Sequence, residues 1–214
     1  MSTVYMSGQY PEFIRAMEQL GHRVIPTKPF TTFHHPEQYH ADMQLLKIND
    51  RLFSIENCRR KVGKKYPANV RLNCLYLGNR LYGNLDAVDD TVLDYCHENG
   101  IAPVHVNQGY TRCSTLVVNQ NAVITADSSI ENAMRQYGVD VLRIVHGHIR
   151  LDGYPYGFIG GCSATINDTI YFFGSVNHHP DSSRIQSFIA SYHANIEILC
   201  RNHPLTDIGG VVVV

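Results

Sequence analysis

The chain has 214 residues, of which 44% are hydrophobic and 17% are charged; this composition predicts a globular protein with a sizeable core and argues against disorder. Eighteen basic and nineteen acidic residues give a formal net charge of −1, so charge gives no reason to expect nucleic acid or an anionic membrane as a partner. No apolar run approaches the roughly 18 residues that span a bilayer, and the first residues lack a signal-peptide pattern, so we expect a cytoplasmic protein.

In chain order, the first predicted elements are a strand in "STVYMSG", a helix in "PEFIRAMEQL" that ends at Gly21, and a strand in "HRVIPT". Four β-hairpins follow, because apolar runs flank turns built from Asn, Asp or Gly. They span residues 44–55, 74–84, 115–126 and 163–174.

A helix and a short strand are predicted after three of the hairpins. The helices span residues 86–98, 128–137 and 181–193, and each begins with Ser or Asp, as capping residues do. The first hairpin is followed by "ENCRRKVGKKYP", which has room for only a turn of helix. A doubly wound α/β sheet alternates single strands with helices, so the repeated hairpins argue against it.

The sequence Ile-Gly-Gly occurs at residues 159–161 and again at residues 208–210, which indicates a repeated supersecondary unit. The final "IGGVVVV" supplies the strand that the N-terminal unit lacks. We therefore predict one α/β domain over residues 1–214, a five-bladed β/α-propeller of hairpin–helix–strand units. Pairing of the N- and C-terminal strands would close the ring and protect the sheet edges.

Aligning the units on their turns predicts which side chains share a face, because strand residues alternate between two faces. The polar set is expected to point at the axis of the ring, where charge needs a partner or a ligand. It contains His40, Asp42, Asn69, Arg71, Asn73, Arg112, Cys162 and Asp207. Cys74 and Cys113 are expected to point into the apolar core.

His40-Ala41-Asp42, an H-x-D pattern, together with the five units and the late Gly-Gly, resembles the pentein superfamily, the fold of the guanidino-group-modifying enzymes. "GYTRCSTLVVNQNAVITAD", "YGFIGGCS" and "LTDIGG" look closer to a bacterial branch of that fold than to its named enzymes. In the catalytic branches, the resemblance implies a C-terminal cysteine that attacks the guanidinium carbon, a histidine in H-x-D that moves protons, and carboxylates that hold the nitrogens.

Two departures from the family pattern bear on function. Val212, Val213 and Val214 stand where the family has its nucleophilic cysteine. H-x-D also lies in the first full hairpin, whereas in the family it follows an acidic Gly-Gly motif.

The sequence leaves three functions open. The first is binding of a small polar metabolite in the axial pocket, with Arg71 and Arg112 clamping an acidic group and Asp42 and Asp207 holding an amino or guanidino group. The second is hydrolysis of an amidine or guanidine with Cys162 as nucleophile and His40 as acid/base. The third is a non-catalytic protein-interaction module like the translation factor of this fold.

Several features also have plainer interpretations. His40 and Asp42 can satisfy one another, Cys162 can be an inert core thiol, and the arginines can pair with Asp42 or Asp207. The histidine pairs lack a third ligand at fixed spacing, no phosphate-binding glycine loop follows a strand, and we expect neither metal nor cofactor. Asp152, Tyr154 and Tyr156 are predicted to lie in a loop over the axial pocket.

Overall fold

The computed structural model describes all residues from Met1 to Val214. Its fourteen strands form five separate sheets. In chain order the strands are β1 (Thr3–Ser7), β2 (Arg23–Thr27), β3 (Leu45–Ile48), β4 (Arg51–Ser54), β5 (Leu75–Leu77), β6 (Arg80–Gly83), β7 (Ala102–His105), β8 (Thr115–Asn119), β9 (Ala122–Thr125), β10 (Asp140–Arg143), β11 (Ser163–Ile166), β12 (Thr169–Ser175), β13 (Asn195–Pro204) and β14 (Val211–Val213). The α-helices are α1 (Pro11–Gln19), α2 (Ala41–Gln44), α3 (Asp90–Glu98), α4 (Ser128–Arg135) and α5 (Ser182–Ser191).

Three sheets repeat one topology, an antiparallel hairpin whose second strand pairs in parallel with a strand that follows a helix. They are β5-β6-β7, β8-β9-β10 and β11-β12-β13. The predicted hairpins are all present, and three of their turns contain Asn49, Gly78 or Asn167 at positive φ. The unit of β3 and β4 has no third strand and only a 3₁₀ turn, Ile55–Asn57, after its hairpin. The sequence therefore predicted correctly both the three hairpin–helix–strand units and the shortened unit that precedes them.

The chain termini meet in the fifth sheet, of order β14-β1-β2. β1 pairs antiparallel with β14, with Tyr5 opposite Val212, and parallel with β2. The last strand thus completes the unit that the first residues begin, as the repeated Ile-Gly-Gly predicted. The apolar core comprises four clusters, which join the first unit to the second, the second to the third, the third to the fourth, and the fourth to the terminal unit.

Local chemistry fixes where the helices begin. Asp89 accepts a hydrogen bond from Thr91 N at the start of α3, and Asp127 accepts from Ser129 N and Ile130 N at the start of α4. Such caps satisfy amides that have no partner within the helix. None of the helices combines the length and the apolar character that a membrane span requires.

The residues just before the first strand of each unit differ from the prediction. Residues 41–44 form the short helix α2, residues 111–114 and 159–162 form turns, and residues 207–210 are irregular. Side chains there do not alternate between two faces as they do in a strand. The predicted facing of several candidate residues is therefore wrong, with consequences described below.

Candidate functional site

The five segments that precede β3, β5, β8, β11 and β14 are hydrogen-bonded to one another in chain order. We call them the pre-strand segments; they comprise residues 40–44, 69–74, 110–114, 158–162 and 206–210. The linking bonds are Asn73 Nδ2 to Asp42 O (3.2 Å), Thr111 N to Asn73 O (3.1 Å), Gly161 N to Cys113 O (2.9 Å), Ile208 N to Gly161 O (3.0 Å) and Asp42 N to Gly209 O (3.1 Å). The last bond joins the fifth segment to the first.

A cavity of about 220 Å³ lies against these segments, and we call it the carboxyl cavity. Its polar lining comes from four of the predicted units and their loops. The lining residues are Glu37, His40, Tyr110, Cys113, Leu151, Tyr154, Pro155, Tyr156, Phe158 and Asp207. The loop of Tyr154 and Tyr156 covers the cavity as the sequence predicted, whereas Asp152 instead pairs with Arg150 on the surface (2.8 Å).

His40, Asp42 and Cys113 form a buried cluster at this cavity. Their relative exposures are 3%, 1% and 2%, and one donor atom from each lies within 4.8 Å of the others. The Cys113 thiol donates to Asp42 Oδ2 (2.9 Å), and Asn73 Nδ2 donates to Cys113 Sγ (3.1 Å). His40 Nε2 and Asp42 Oδ1 have no hydrogen-bond partner. These three side chains are of types that ligate zinc, so they are also the residues that would hold a metal ion.

Burial controls the protonation of this cluster. It raises the pKa of Asp42 to about 8, with a further rise from the Asp207 charge and opposing effects of the Cys113 hydrogen bond and the Arg112 charge. Burial, then Asp42 and Asp207, hold the pKa of the Cys113 thiol well above its usual range. Burial also lowers the pKa of His40, against the opposing charges of Asp207 and Glu37. Without a bound cation, the cluster is therefore a neutral histidine, a thiol and a largely protonated Asp42 at neutral pH.

Asp207 is completely buried, and glycines make room for it. Its Oδ2 accepts from Phe158 N (2.8 Å) and its Oδ1 from Gly209 N (2.9 Å), while burial raises its pKa. A Cβ on Gly161 would lie 2.0 Å from Asp207 Oδ1, and one on Gly209, where φ is +78°, would lie 2.3 Å from His40 Cβ. The repeated Gly-Gly thus allows the close approach of backbone to the two polar side chains.

Glu37 adds a third carboxyl group, and its partners lie in the aromatic wall of the cavity. Tyr154 Oη donates to Glu37 Oε1 (2.9 Å), and Tyr110 Oη donates to the same atom (3.4 Å). Asn69 Nδ2 donates to Tyr110 Oη (2.7 Å) and to Glu37 Oε2 (3.4 Å). The Tyr110 ring stacks on Phe158, with ring centroids 5.9 Å apart.

The structure brings together only part of the predicted site. His40 and Asp207 line the carboxyl cavity, and Asp42, Asn69 and Asn73 bind residues that line it. These five residues therefore line the carboxyl cavity or contact a residue that lines it.

Cys162 does not line the carboxyl cavity, and the face predicted for it is wrong. Its thiol donates to Ile159 O (3.3 Å), and the residue belongs to the apolar cluster of the third and fourth units. Cys113, which was expected in the core, occupies the cavity instead. The turns at residues 111–114 and 159–162 replace the expected strands, so the alternation that placed both cysteines does not hold.

The two arginines do not form the expected clamp. Arg71 donates to the carbonyl oxygens of Lys61 (3.0 Å) and Ala87 (2.9 Å), away from the cavity. Arg112 donates to Thr115 O (3.2 Å) and lines a different cavity. Neither forms a salt bridge with Asp42 or Asp207.

Sequence reasoning missed Cys113 and Glu37. The signal for Cys113 was the Gly-Gly pair at the equivalent place in the last two units, since paired glycines mark a segment unsuited to a regular strand. Glu37 lies in a 3₁₀ turn, Glu37–Tyr39, between two predicted elements, and no pattern in the sequence indicates its contacts with Tyr110 and Tyr154.

Comparison with solved structures identifies the fold. The dimethylarginine dimethylaminohydrolase (DDAH) of Pseudomonas aeruginosa, as a cysteine-to-serine mutant complexed with citrulline, aligns over 100% of this chain and 99% of its own, with a TM-score of 0.59 and 9% identity. A C. jejuni agmatine deiminase aligns over 99% of this chain and 92% of its own, with a TM-score of 0.55 and 7% identity. No curated protein sequence matches the chain.

These similarities show that the chain has the pentein fold of the guanidino-group-modifying enzymes, as the sequence resemblance implied. A family profile also matches the chain. The matched region begins after Glu37, His40 and Asp42, so it does not include these three residues of the site. Since that profile matches residues 50–212, well over half of the sequence, the chain belongs to the family of unknown function DUF6873.

Proposed function

We propose that the carboxyl cavity binds a small organic cation that carries an amidinium or guanidinium group. One observation carries the proposal: the carboxyl groups of Glu37, Asp42 and Asp207 are buried around the cavity, and none forms a salt bridge. Buried carboxylates are costly unless a cation or hydrogen bonds compensate them. A ligand cation would supply that compensation.

The carboxyl groups retain acceptor capacity for such a ligand. An ionised carboxylate offers about four acceptor positions. Asp207 uses two of them, for Phe158 N and Gly209 N, and Asp42 Oδ1 uses none. A planar guanidinium presents several N–H donors in a fixed geometry that matches paired carboxylate oxygens.

The walls of the cavity suit a flat cation as well. Tyr110, Tyr154, Tyr156 and Phe158 provide aromatic faces and edges, and an aromatic face attracts a cation most strongly where water is excluded. No lysine or arginine lines the cavity, so this site has nothing to hold an acidic group. The proposed ligand is therefore cationic, and the carboxylate clamp that the sequence suggested is not part of it.

Paired ligands that differ only in charge test the proposal. Isothermal titration calorimetry would compare methylguanidine with methylurea and L-arginine with L-citrulline, because each ureido compound is a neutral isostere of its partner. We expect binding of the cations only, and a loss of about tenfold or more in their affinity in Glu37→Gln. The control Asp152→Asn removes a carboxylate from the surface pair with Arg150. Equal binding of both members of a pair, or no binding of either, would refute the proposal.

A second candidate function follows from one contact, the Cys113 thiol that donates to Asp42 with His40 in the same cluster. We propose that a bound guanidinium stabilises the thiolate form of Cys113 by its positive charge, so that the thiol proton passes to His40. The sulfur adds to the guanidinium carbon, His40 gives the proton to the leaving nitrogen, and ammonia departs to leave a thiouronium adduct. Water then adds to the same carbon and the sulfur leaves, which gives a ureido product, releases one proton and restores the thiol.

Hydrolysis is separable from binding. Incubation of the wild-type chain with methylguanidine, agmatine or L-arginine would release ammonia, and Cys113→Ser would abolish the release while retaining binding. Cys162→Ser, in the apolar core, is the matched control and should retain activity. If the cations bind but no ammonia is released, the proposed binding function stands and the proposed hydrolase function is refuted.

We also propose that the five sheets surround one axis as the blades of a propeller. The hydrogen bonds that link the five pre-strand segments support this arrangement, as does a second cavity lined by β3, β5, β11 and β14 together with Arg112 before β8. A protein-interaction module would need no open pocket at this axis, so the 220 Å³ carboxyl cavity favours a small-molecule ligand.

A further inference from the structure

A second cavity, of about 310 Å³, lies against the first strands of the units. We call it the basic cavity. Its lining residues are Leu45, Leu46, Lys47, Asn49, Cys74, Leu75, Tyr76, Arg112, Thr165, Val211, Val212 and Val213. Arg112 and Cys113 are adjacent in the chain but line different cavities, so the basic cavity is distinct from the carboxyl cavity.

The charge of this cavity is entirely positive. Lys47 and Arg112 line it, and no aspartate or glutamate does. Neither cation forms a salt bridge. Concave, low-dielectric walls that carry charge of one sign concentrate ions of the opposite sign. The cavity therefore favours an anion.

The cations also have unused donors. The Arg112 side chain makes one hydrogen bond, from Nη1 to Thr115 O (3.2 Å), whereas a guanidinium has five N–H groups. Lys47 forms no side-chain hydrogen bond at all. A carboxylate can accept two parallel hydrogen bonds from arginine, and Lys47 would supply a second charge.

The remaining walls are mostly hydrocarbon. Leucine and valine side chains from β3, β5 and β14 line them, and at the polar edge Tyr76 Oη donates to Asn49 Oδ1 (2.9 Å). A volume of 310 Å³ falls at the lower end of the roughly 300–1,000 Å³ of small-molecule pockets. We propose that the basic cavity binds a small carboxylate with a short apolar chain, its head on Lys47 and Arg112 and its chain against the valines and leucines.

Calorimetry with hexanoate tests this proposal, with hexanol, acetate and inorganic phosphate as comparisons. Hexanol has the chain without the charge, acetate the head without the chain, and phosphate an anion with no chain. We expect hexanoate to bind more tightly than all three. Lys47→Gln should weaken hexanoate binding by about tenfold to a hundredfold, whereas Lys64→Gln, an exposed lysine outside the cavity, should not weaken it.

Arg112→Lys serves as a second variant, because it keeps the charge but removes the paired donors. We expect it to bind hexanoate more weakly than the wild type, with its folding checked by thermal unfolding. The proposal is overturned if hexanoate binds no better than hexanol, if phosphate binds more tightly than hexanoate, or if Lys47→Gln has no effect. These results do not depend on cation binding in the carboxyl cavity, so the two proposals fail separately.

Discussion

Replacement of Asp42 by asparagine should change how stability depends on pH. Burial raises the pKa of Asp42 to about 8 in the folded chain, whereas the pKa of an aspartate in an unfolded chain is about 3.9. Between these values the folded chain holds a proton that the unfolded chain has lost, so the free energy of unfolding falls as pH rises. Asparagine does not titrate and can still accept a hydrogen bond from Cys113, so the variant lacks this dependence.

The size of the change in stability follows from the width of the pH range over which only the folded chain holds the proton. One bound proton is equivalent to about 1.4 kcal/mol per pH unit, or about 4 kcal/mol between pH 5 and pH 8. The free energy of unfolding of Asp42→Asn, minus that of the wild type, should rise by this amount over that range and level off above it. Burial lowers the pKa of His40, which has the opposite effect below about pH 6.5. Both proteins contain His40, so its contribution cancels in the difference.

Urea denaturation at intervals of one pH unit measures the difference directly. Asp168→Asn is the matched control, because Asp168 is exposed in the turn between β11 and β12 and its side chain makes no hydrogen bond. If the wild type and Asp42→Asn lose stability in parallel from pH 5 to pH 8, Asp42 is not protonated in the folded chain over this range.

Three other predictions concern the same site. The affinity for methylguanidine, measured by calorimetry, should rise with pH until about pH 8 and then level off, because the bound cation favours the ionised form of Asp42. Binding below pH 8 should therefore release a proton from Asp42, and an affinity that falls as pH rises over this range would contradict that release. Gly161→Ala should lower the free energy of unfolding in urea by about 2 kcal/mol or more, since the new methyl group would lie 2.0 Å from Asp207 Oδ1. The control Gly138→Ala meets open space and should cost about 1 kcal/mol for its positive φ. Equal losses of stability in the two variants would argue against tight packing around Asp207. Cys113 should react slowly with iodoacetamide at pH 7, because burial and two carboxyl groups raise its pKa; rapid labelling of its peptide in mass spectrometry would show a thiolate instead.

The repeat was predictable from the sequence because its signals are local. Asn or Gly in the hairpin turns, apolar alternation in the strands and Asp or Ser before the helices each act over a few residues. The 49-residue offset between the two Ile-Gly-Gly motifs was enough to pair β14 with β1, as the structure has it.

The site was less predictable, because its side chains belong to segments that are neither strand nor long helix. The prediction extends the strand alternation of side chains from β8 and β11 back into residues 111–114 and 159–162, where the backbone turns. It therefore places Cys162 at the pocket and Cys113 in the core, the reverse of what the structure has. Long-range contacts such as that of Glu37 with Tyr154, 117 residues apart, have no local signature at all.

The central claim, that the carboxyl cavity holds a cation, is tested most directly by a crystal structure of the chain grown with methylguanidine. We expect the guanidinium group inside the cavity, within hydrogen-bond distance of the carboxylates of Glu37 and Asp207 and against the ring of Tyr110 or Phe158. A cavity that contains no methylguanidine at a saturating concentration, or a side chain of the protein that fills it, would contradict the claim.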